Sequence, residues 1–301
     1  MKAFFLRHKK LHIWLLADLV LLAAFWLTRS SRAWMNGLAA YVSLPIQRAL
    51  GRLCYRTDIS IMEVVYVLAI LLGLAYAAWS IAAVARAQGH RGQRAYSAVL
   101  GGLCACLGIY AGFCLLWGVL FWTDSFQDLS GITAQPVAKE DLLAVTEYFA
   151  QQLSATADDV KRDEQGLFAV SREEILESSP EVYDQLEKQF PFLAFEDTGV
   201  KAMYFSRLMS VINFTGFYCA YTGEANVNVD SPACLLPSTA AHEMAHQRGI
   251  ASEQECNFLA VLASTTSEDP AYIYSGWLMG YIYLGNALYR VDPDAYWTIR
   301  D

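Results

Sequence analysis

Three apolar runs dominate the first part of the chain. Ile13 to Thr28 (IWLLADLVLLAAFWLT) is interrupted by one charge, Asp18; Ile61 to Ala85 carries only Glu63, near its start; Tyr96 to Trp122 carries none. Each is close to the roughly 20 residues that a helix needs to cross a bilayer. The pattern predicts three transmembrane helices, at about 13–28, 61–85 and 96–122, forming a membrane anchor over residues 1–122. Asp18 is expected near the membrane interface. Arg29 and Arg32 follow the first run where a signal sequence would show small residues, so the run is read as an uncleaved anchor. Between the first two runs, AWMNGLAAYVSLPIQRALGRL suits an amphipathic helix lying on the membrane surface.

Beyond residue 122 the pattern becomes that of a soluble α+β domain, residues 123–301. Phe126 to Gln135 reads as a turn-rich linker. PVAKEDLLAVTEYFAQQL, from Pro136, reads as an amphipathic helix with acidic residues in its first turns. Ser171 and Glu174 form a capping-box pattern that starts another helix. KAMYFS and EANVNV read as strands. In the second, Ala225, Val227 and Val229 alternate with Glu224, Asn226, Asn228 and Asp230, which predicts a strand with one polar face. The aromatic stretch Ala271 to Tyr289, with its glycines and asparagine, suits a helix packed in the domain better than a fourth span. No internal repeat or low-complexity tract is present.

Charge divides the chain at the same place. Residues 1–122 hold 12 Lys+Arg against 3 Asp+Glu, a net of +9; residues 123–301 hold 10 against 27, a net of −17. An acidic domain argues against nucleic acid as a partner and leaves the lipid bilayer as the partner of the anchor. Lys2, Arg7, Lys9 and Lys10 share a side with Arg86, Arg91 and Arg94, against five arginines between Arg29 and Arg56. The positive-inside rule therefore puts the N-terminus inside and the soluble domain outside the cytoplasm. Cys219 and Cys234 are either bridged or free. A bridge would contribute about 3 kcal/mol.

The chemistry concentrates in TAAHEMAHQRGIASEQECN, residues 239–257. On a helix, residues i and i+4 stand on one face, so His242 and His246 can offer two imidazole nitrogens to one Zn2+. Glu243 lies about 100° round the helix, which aims it past the ion at a bound water, as a general base requires. The only other histidines are at 8, 12 and 90, so a carboxylate or Cys256 must complete the site. Gly249 can end the helix in a left-handed turn, and Ser252 then reads as the N-cap of the next. Within SEQE, Glu255 takes the capping-box position and Glu253 is the third metal ligand. Glu253 and Glu255 lie about 200° apart by helix geometry, so both cannot face one ion. Asn257, four residues after Glu253, is expected to hold a ligand in place. The strand at 224–229 could pair with an extended peptide substrate along an exposed edge. Tyr272, Tyr274 and Arg248 are candidates for stabilising an oxyanion.

HEMAHQRG followed by ExxxN resembles the zincin metallopeptidases, and most closely the gluzincin branch, whose third ligand is the first residue of an ExxxD or ExxxN helix. The stretch YTGEANVNVDSPACLLPSTAAHEMAHQRGIASEQECNFLA, residues 221–260, together with the apolar first half, resembles the bacterial family called domain of unknown function 3810. That resemblance implies a membrane-bound, zinc-dependent, peptidase-like protein of the bacterial cell membrane, with His242, His246 and Glu253 as ligands and Glu243 as base. Two departures stand out. Ser252 occupies the place of the last histidine of HExxHxxGxxH, and the gap from His246 to Glu253 is shorter than in most gluzincins. The expected function is hydrolysis of peptide bonds in a peptide or protein substrate. The alternative is a sensor or scaffold that uses the same zinc fold to bind a peptide or cell-envelope ligand without cutting it. An intramembrane protease is disfavoured by the polar flanks LLPSTA and RGIASEQE.

Overall fold

The computed structural model describes residues 7–196 and 198–300. The chain is mostly helical with one small sheet, and it divides into two compact units. The first comprises Met1–Leu50, Ile61–Thr123 and Ala220–Thr222; the second comprises Gly51–Ser60, Asp124–Cys219 and Gly223–Asp301.

The first unit is built from α1 (Lys9–Thr28), α2 (Arg32–Leu38), the start of α3 (Leu44–Cys54), α4 (Ile61–Arg86) and α5 (Arg91–Leu116). α1, α4 and α5 are long and apolar enough to cross a membrane, which marks the chain as membrane-associated. α5 packs against both of the others. Asp18 lies at mid-helix in α1, 5% exposed, with its Oδ1 3.6 Å from where a Cβ on Gly108 of α5 would stand. It is therefore enclosed by protein rather than held at a helix end. The segment Arg32–Cys54 is helical throughout, with a π turn over Ala39–Ser43 just before Pro45, whose missing N–H would interrupt an ordinary ladder. Ser43 Oγ and Gln47 Nε2 donate to the carbonyls of Leu115 and Leu116, both at 2.6 Å, and so satisfy acceptors that the end of α5 leaves open.

The second unit contains α6 (Phe126–Ser130), α7 (Lys139–Ala155), α8 (Arg172–Ser178), α9 (Asp184–Gln189), α10 (Ser206–Val211), α11 (Leu236–Gln247), α12 (Glu253–Thr266), α13 (Pro270–Val291) and α14 (Pro293–Arg300). α11, α12 and α13 pack on one another, and α13 packs on α7. Leu236, Met244, Leu259, Tyr272 and Leu288 are fully buried there. Each aliphatic side chain so buried contributes about 1.5–3 kcal/mol. Gly280 of α13 lies beneath the ring of Phe149, which occupies the space a Cβ would need. α13 is therefore a domain helix.

The sheet has three strands, β1 (Lys201–Ala202), β2 (Gly216–Cys219) and β3 (Glu224–Val227), in the order β1-β3-β2. β3 runs parallel to β1, pairing Lys201 with Asn226, and antiparallel to β2, pairing Phe217 with Asn226 and Cys219 with Glu224. This corrects the expectation of an exposed edge at 224–229: β3 is the central strand, and all four of its residues are buried. Its polar side chains find partners inside the protein. Lys201 Nζ donates to Glu224 Oε1 at 2.7 Å and to the carbonyls of Cys54 and Ile59 at 2.8 and 2.9 Å. Asn228 Nδ2 donates to Ser210 Oγ and to the Phe214 carbonyl. KAMYFS contributes only two residues to the sheet before the chain turns into α10. The expected linker at 126–135 begins with α6, which carries its own capping box from Ser125 and Asp128. Cys219 and Cys234 are not joined by a disulfide.

Candidate metal centre

α11 packs against β2, β3 and the neighbouring helices and carries His242, partly exposed, with Glu243 and His246, both buried. Gly249 then adopts φ +90°, the left-handed conformation that ends the helix, and lets the chain double back. Ser252 is the N-cap of α12, its Oγ accepting from the Glu255 N–H at 3.4 Å. This hairpin of helices brings Glu253 over the two imidazoles. Its Oε2 lies 3.2 Å from His242 Nε2 and its Oε1 lies 3.5 Å from His246 Nε2. One ligand atom from each of His242, His246 and Glu253 lies within 4.8 Å of the other two.

These distances fit a metal. Ligand atoms bound tetrahedrally at about 2.0–2.1 Å stand about 3.3 Å apart, close to the 3.2 and 3.5 Å that separate the two imidazoles from the oxygens of Glu253. The tautomer of His246 fits as well. Its Nδ1 lies 2.8 Å from the Ile250 carbonyl, an atom that only accepts, so Nδ1 carries a proton and Nε2, which faces Glu253, is the nitrogen that would ligate a metal on giving up its own proton. Cys256 Sγ sits 3.2 Å from the same Nδ1, which places this thiol behind a ligand rather than among the ligands. Burial pushes the Cys256 thiol up, away from the thiolate that a metal would take. Ile250 and Cys256 thus both contact His246 Nδ1, behind the nitrogen that faces Glu253. Hydrogen bonding to His242 and His246 holds the Glu253 carboxyl well below the usual carboxylate range.

Glu255 does not close a capping box on Ser252. Its carboxylate accepts instead from the N–H groups of Phe126 and Gln127, at 3.1 and 3.3 Å, and so caps α6. Glu253 thus meets the imidazoles while Glu255 bonds the start of α6.

Glu243 is 4% exposed. Burial, partly offset by His246 and His242, pushes its carboxyl up to about 7. It accepts a hydrogen bond from the Tyr218 N–H of β2, while its Oε2 is buried with no hydrogen-bond partner among the described residues. That atom is placed to bond a water or a reacting group. The Tyr218 ring is stacked on His246, with centroids 6.5 Å apart.

The three residues named for oxyanion work lie elsewhere. Tyr272 is fully buried and donates to the Ile175 carbonyl; Tyr274 stacks on Phe168; Arg248 is paired with Glu187 beneath the ring of Tyr183. Partial burial, and then the charge of Glu253, raises the phenol of Tyr283 on α13. Nothing in the local spacing of the sequence marks Tyr283, because tertiary packing alone brings α13 to α12.

The family model described as "Protein of unknown function (DUF3810)" matches residues 39–301. The chain belongs to this family. The match covers α3 to α5 and the whole of α11 and α12, so DUF3810 membership takes in the apolar helices α4 and α5 as well as the histidine pair. No curated protein and no solved structure matches the chain.

Proposed function

We propose that this DUF3810 protein is a membrane-bound, zinc-dependent peptidase of the zincin type, in which His242, His246 and Glu253 hold Zn2+ and Glu243 is the general base. One observation carries the reading: donor atoms of His242, His246 and Glu253 lie within 4.8 Å of one another beside a buried carboxylate raised to about 7, with one oxygen left for a further partner. A bound Zn2+ supplies Lewis acidity, polarising the scissile carbonyl and lowering the pKa of water to about 7.

The chain's own groups do the remaining work. Glu243 takes the proton of the attacking water and returns it to the departing amine nitrogen, a task for which a proton affinity near 7 is suited. The Tyr218 N–H keeps that carboxylate in position, and the Ile250 carbonyl keeps His246 in the ligating tautomer. Because β2 ends the sheet beside Glu243, it is β2 and not β3 whose edge receives the main chain of a peptide. Tyr283 is the candidate donor to the oxyanion. We assign the protein to the bacterial cell membrane as a three-pass protein with its second unit outside the cytoplasm. Seven cations on the N-terminal and 86–94 side, against five on the other, support this orientation.

Metal analysis of the purified full chain tests the reading. One zinc per chain is expected, with loss of the metal in His242→Ala and in His246→Ala. Zinc content near zero, or unchanged in both variants, would remove it.

A further inference from the structure

The segment Tyr204–Phe214 presents six large apolar side chains to the outside: Tyr204, Phe205, Leu208, Val211, Ile212 and Phe214, with Tyr204 at 87% and Val211 at 78% exposure. A patch of this kind on a folded unit marks an interaction surface. It is presented rigidly. Ser206 Oγ accepts from the Val229 N–H and donates to the Met203 carbonyl, and Asn228 holds Ser210 and the Phe214 carbonyl from behind. Asn213, at φ 58°, then turns the chain toward β2. The two serines of α10 thus face inward, while Leu208 and Val211 face outward beside Arg207.

Three features identify the occupant. First, the stretch from Thr198 to Gly223 contains no Asp or Glu, in a second part of the chain that otherwise carries 27 of them. Its exposed cation is Arg207, since Lys201 is spent on Glu224. Second, Tyr204, Phe205 and Phe214 flank the aliphatic residues, which is the composition of a segment lying at a bilayer interface. Third, the chain returns to the membrane helices almost at once. Ala220–Thr222 belongs to the first unit, where the Tyr221 hydroxyl donates to the Ile109 carbonyl of α5. Phe214 precedes Ala220 by six residues, a reach of at most about 20 Å.

We propose that Tyr204–Phe214 is a membrane-surface anchor, inserted by its apolar face into the acyl–headgroup boundary of an anionic leaflet. A soluble protein partner would need no acid-free stretch, and a second copy of this chain is not favoured by an exposed Arg207 meeting itself. The anchor holds independently of zinc. Since β2 begins two residues after Phe214, it also keeps the edge strand of the candidate centre at the lipid surface.

The test uses the full chain in vesicles of phosphatidylcholine and phosphatidylglycerol, with Cys106 and Cys234 replaced by serine. A nitroxide is attached at Leu208→Cys, at Val211→Cys and, as a reference, at Glu164→Cys. All three positions are exposed, so labelling leaves the core intact. Collision with oxygen severalfold above collision with a polar nickel chelate is expected at 208 and 211, with the reverse at 164. Nickel access at 208 and 211 equal to that at 164 would overturn the anchor. So would spin–spin broadening at those sites that disappears on dilution with unlabelled chain, which would make the ridge a contact between copies.

Discussion

Gly216 of β2 stands against Glu243 of α11 so closely that a Cβ on the glycine would lie 2.6 Å from the Glu243 Cγ and 2.7 Å from its Cδ. The carboxylate occupies the place of a side chain that β2 does not have. Two residues on, the Tyr218 N–H bonds the same carboxylate. The position of the Glu243 carboxylate is thus set by a strand, not by its own helix alone.

Gly216→Ala is therefore expected to displace Glu243 while sparing the ligands. Misplacement of a reacting group by about 1 Å costs about 10²-fold in rate. Steady-state cleavage should fall by that order with zinc content unchanged. Full activity in Gly216→Ala would show that the carboxylate does not work from its observed position.

Glu253 and Glu255 separate ligand from cap. Glu253→Ala should lose zinc or bind it far more weakly. Glu255→Ala should keep the metal and lose about 1 kcal/mol through the uncapped N–H groups of Phe126 and Gln127. Metal content and thermal unfolding of both variants check this, and the opposite pattern would exchange the two roles.

Gly51–Ser60 carries a prediction of its own. Tyr55 is a buried hub: its hydroxyl donates to the Gly199 carbonyl and accepts from the Ala225 N–H and Gln247 Nε2, and Gln247 follows the ligand His246. Burial pushes the Tyr55 phenol far up, so the hydroxyl keeps its proton. Lys201 depends on the Cys54 and Ile59 carbonyls. A chain cut down to residues 124–301 should accordingly fail to fold into a metal-binding form. In the full chain, Lys201→Met breaks the buried ion pair with Glu224 and should cost about 3–5 kcal/mol. Stoichiometric zinc in the 124–301 fragment would contradict this.

The pH dependence follows from Glu243. A carboxyl raised to about 7 by burial is protonated below that pH and cannot accept a proton from water. Cleavage should therefore rise with pH along an acid limb. A bound cation favours the carboxylate, so the limb lies at or below 7 rather than above it. A rate that climbs as pH falls from 7 to 5 would exclude Glu243 as base.

Much of the centre was legible in the sequence because its logic is local. The spacing of His242 and His246, the left-handed Gly249, the cap at Ser252 and the phase of Glu253 all depend on a few neighbouring residues. The sheet was less legible. Alternation in EANVNV gives a polar face, but alternation cannot distinguish water from Lys201, Phe217 and Ser210 as the partners of that face. KAMYFS lost its last residues to α10 because Ser206 bonds back to Met203 and diverts the chain. Glu255 serves α6, more than 120 residues away in the chain, and only the folded structure brings the two together. Gly216, Tyr283 and Gly51–Ser60 reach the centre in the same nonlocal way.

The central claim is that Glu243 moves protons at a metal held by its neighbours. It is tested most directly by peptide cleavage and zinc content measured on the same preparations of the full chain, wild type and Glu243→Gln. The account predicts one zinc per chain in both, with cleavage lower by about 10²–10⁴-fold in the variant. Zinc in both with no cleavage by either, or cleavage that survives Glu243→Gln, would contradict it; the first of these would make the protein a zinc-fold binder that does not cut.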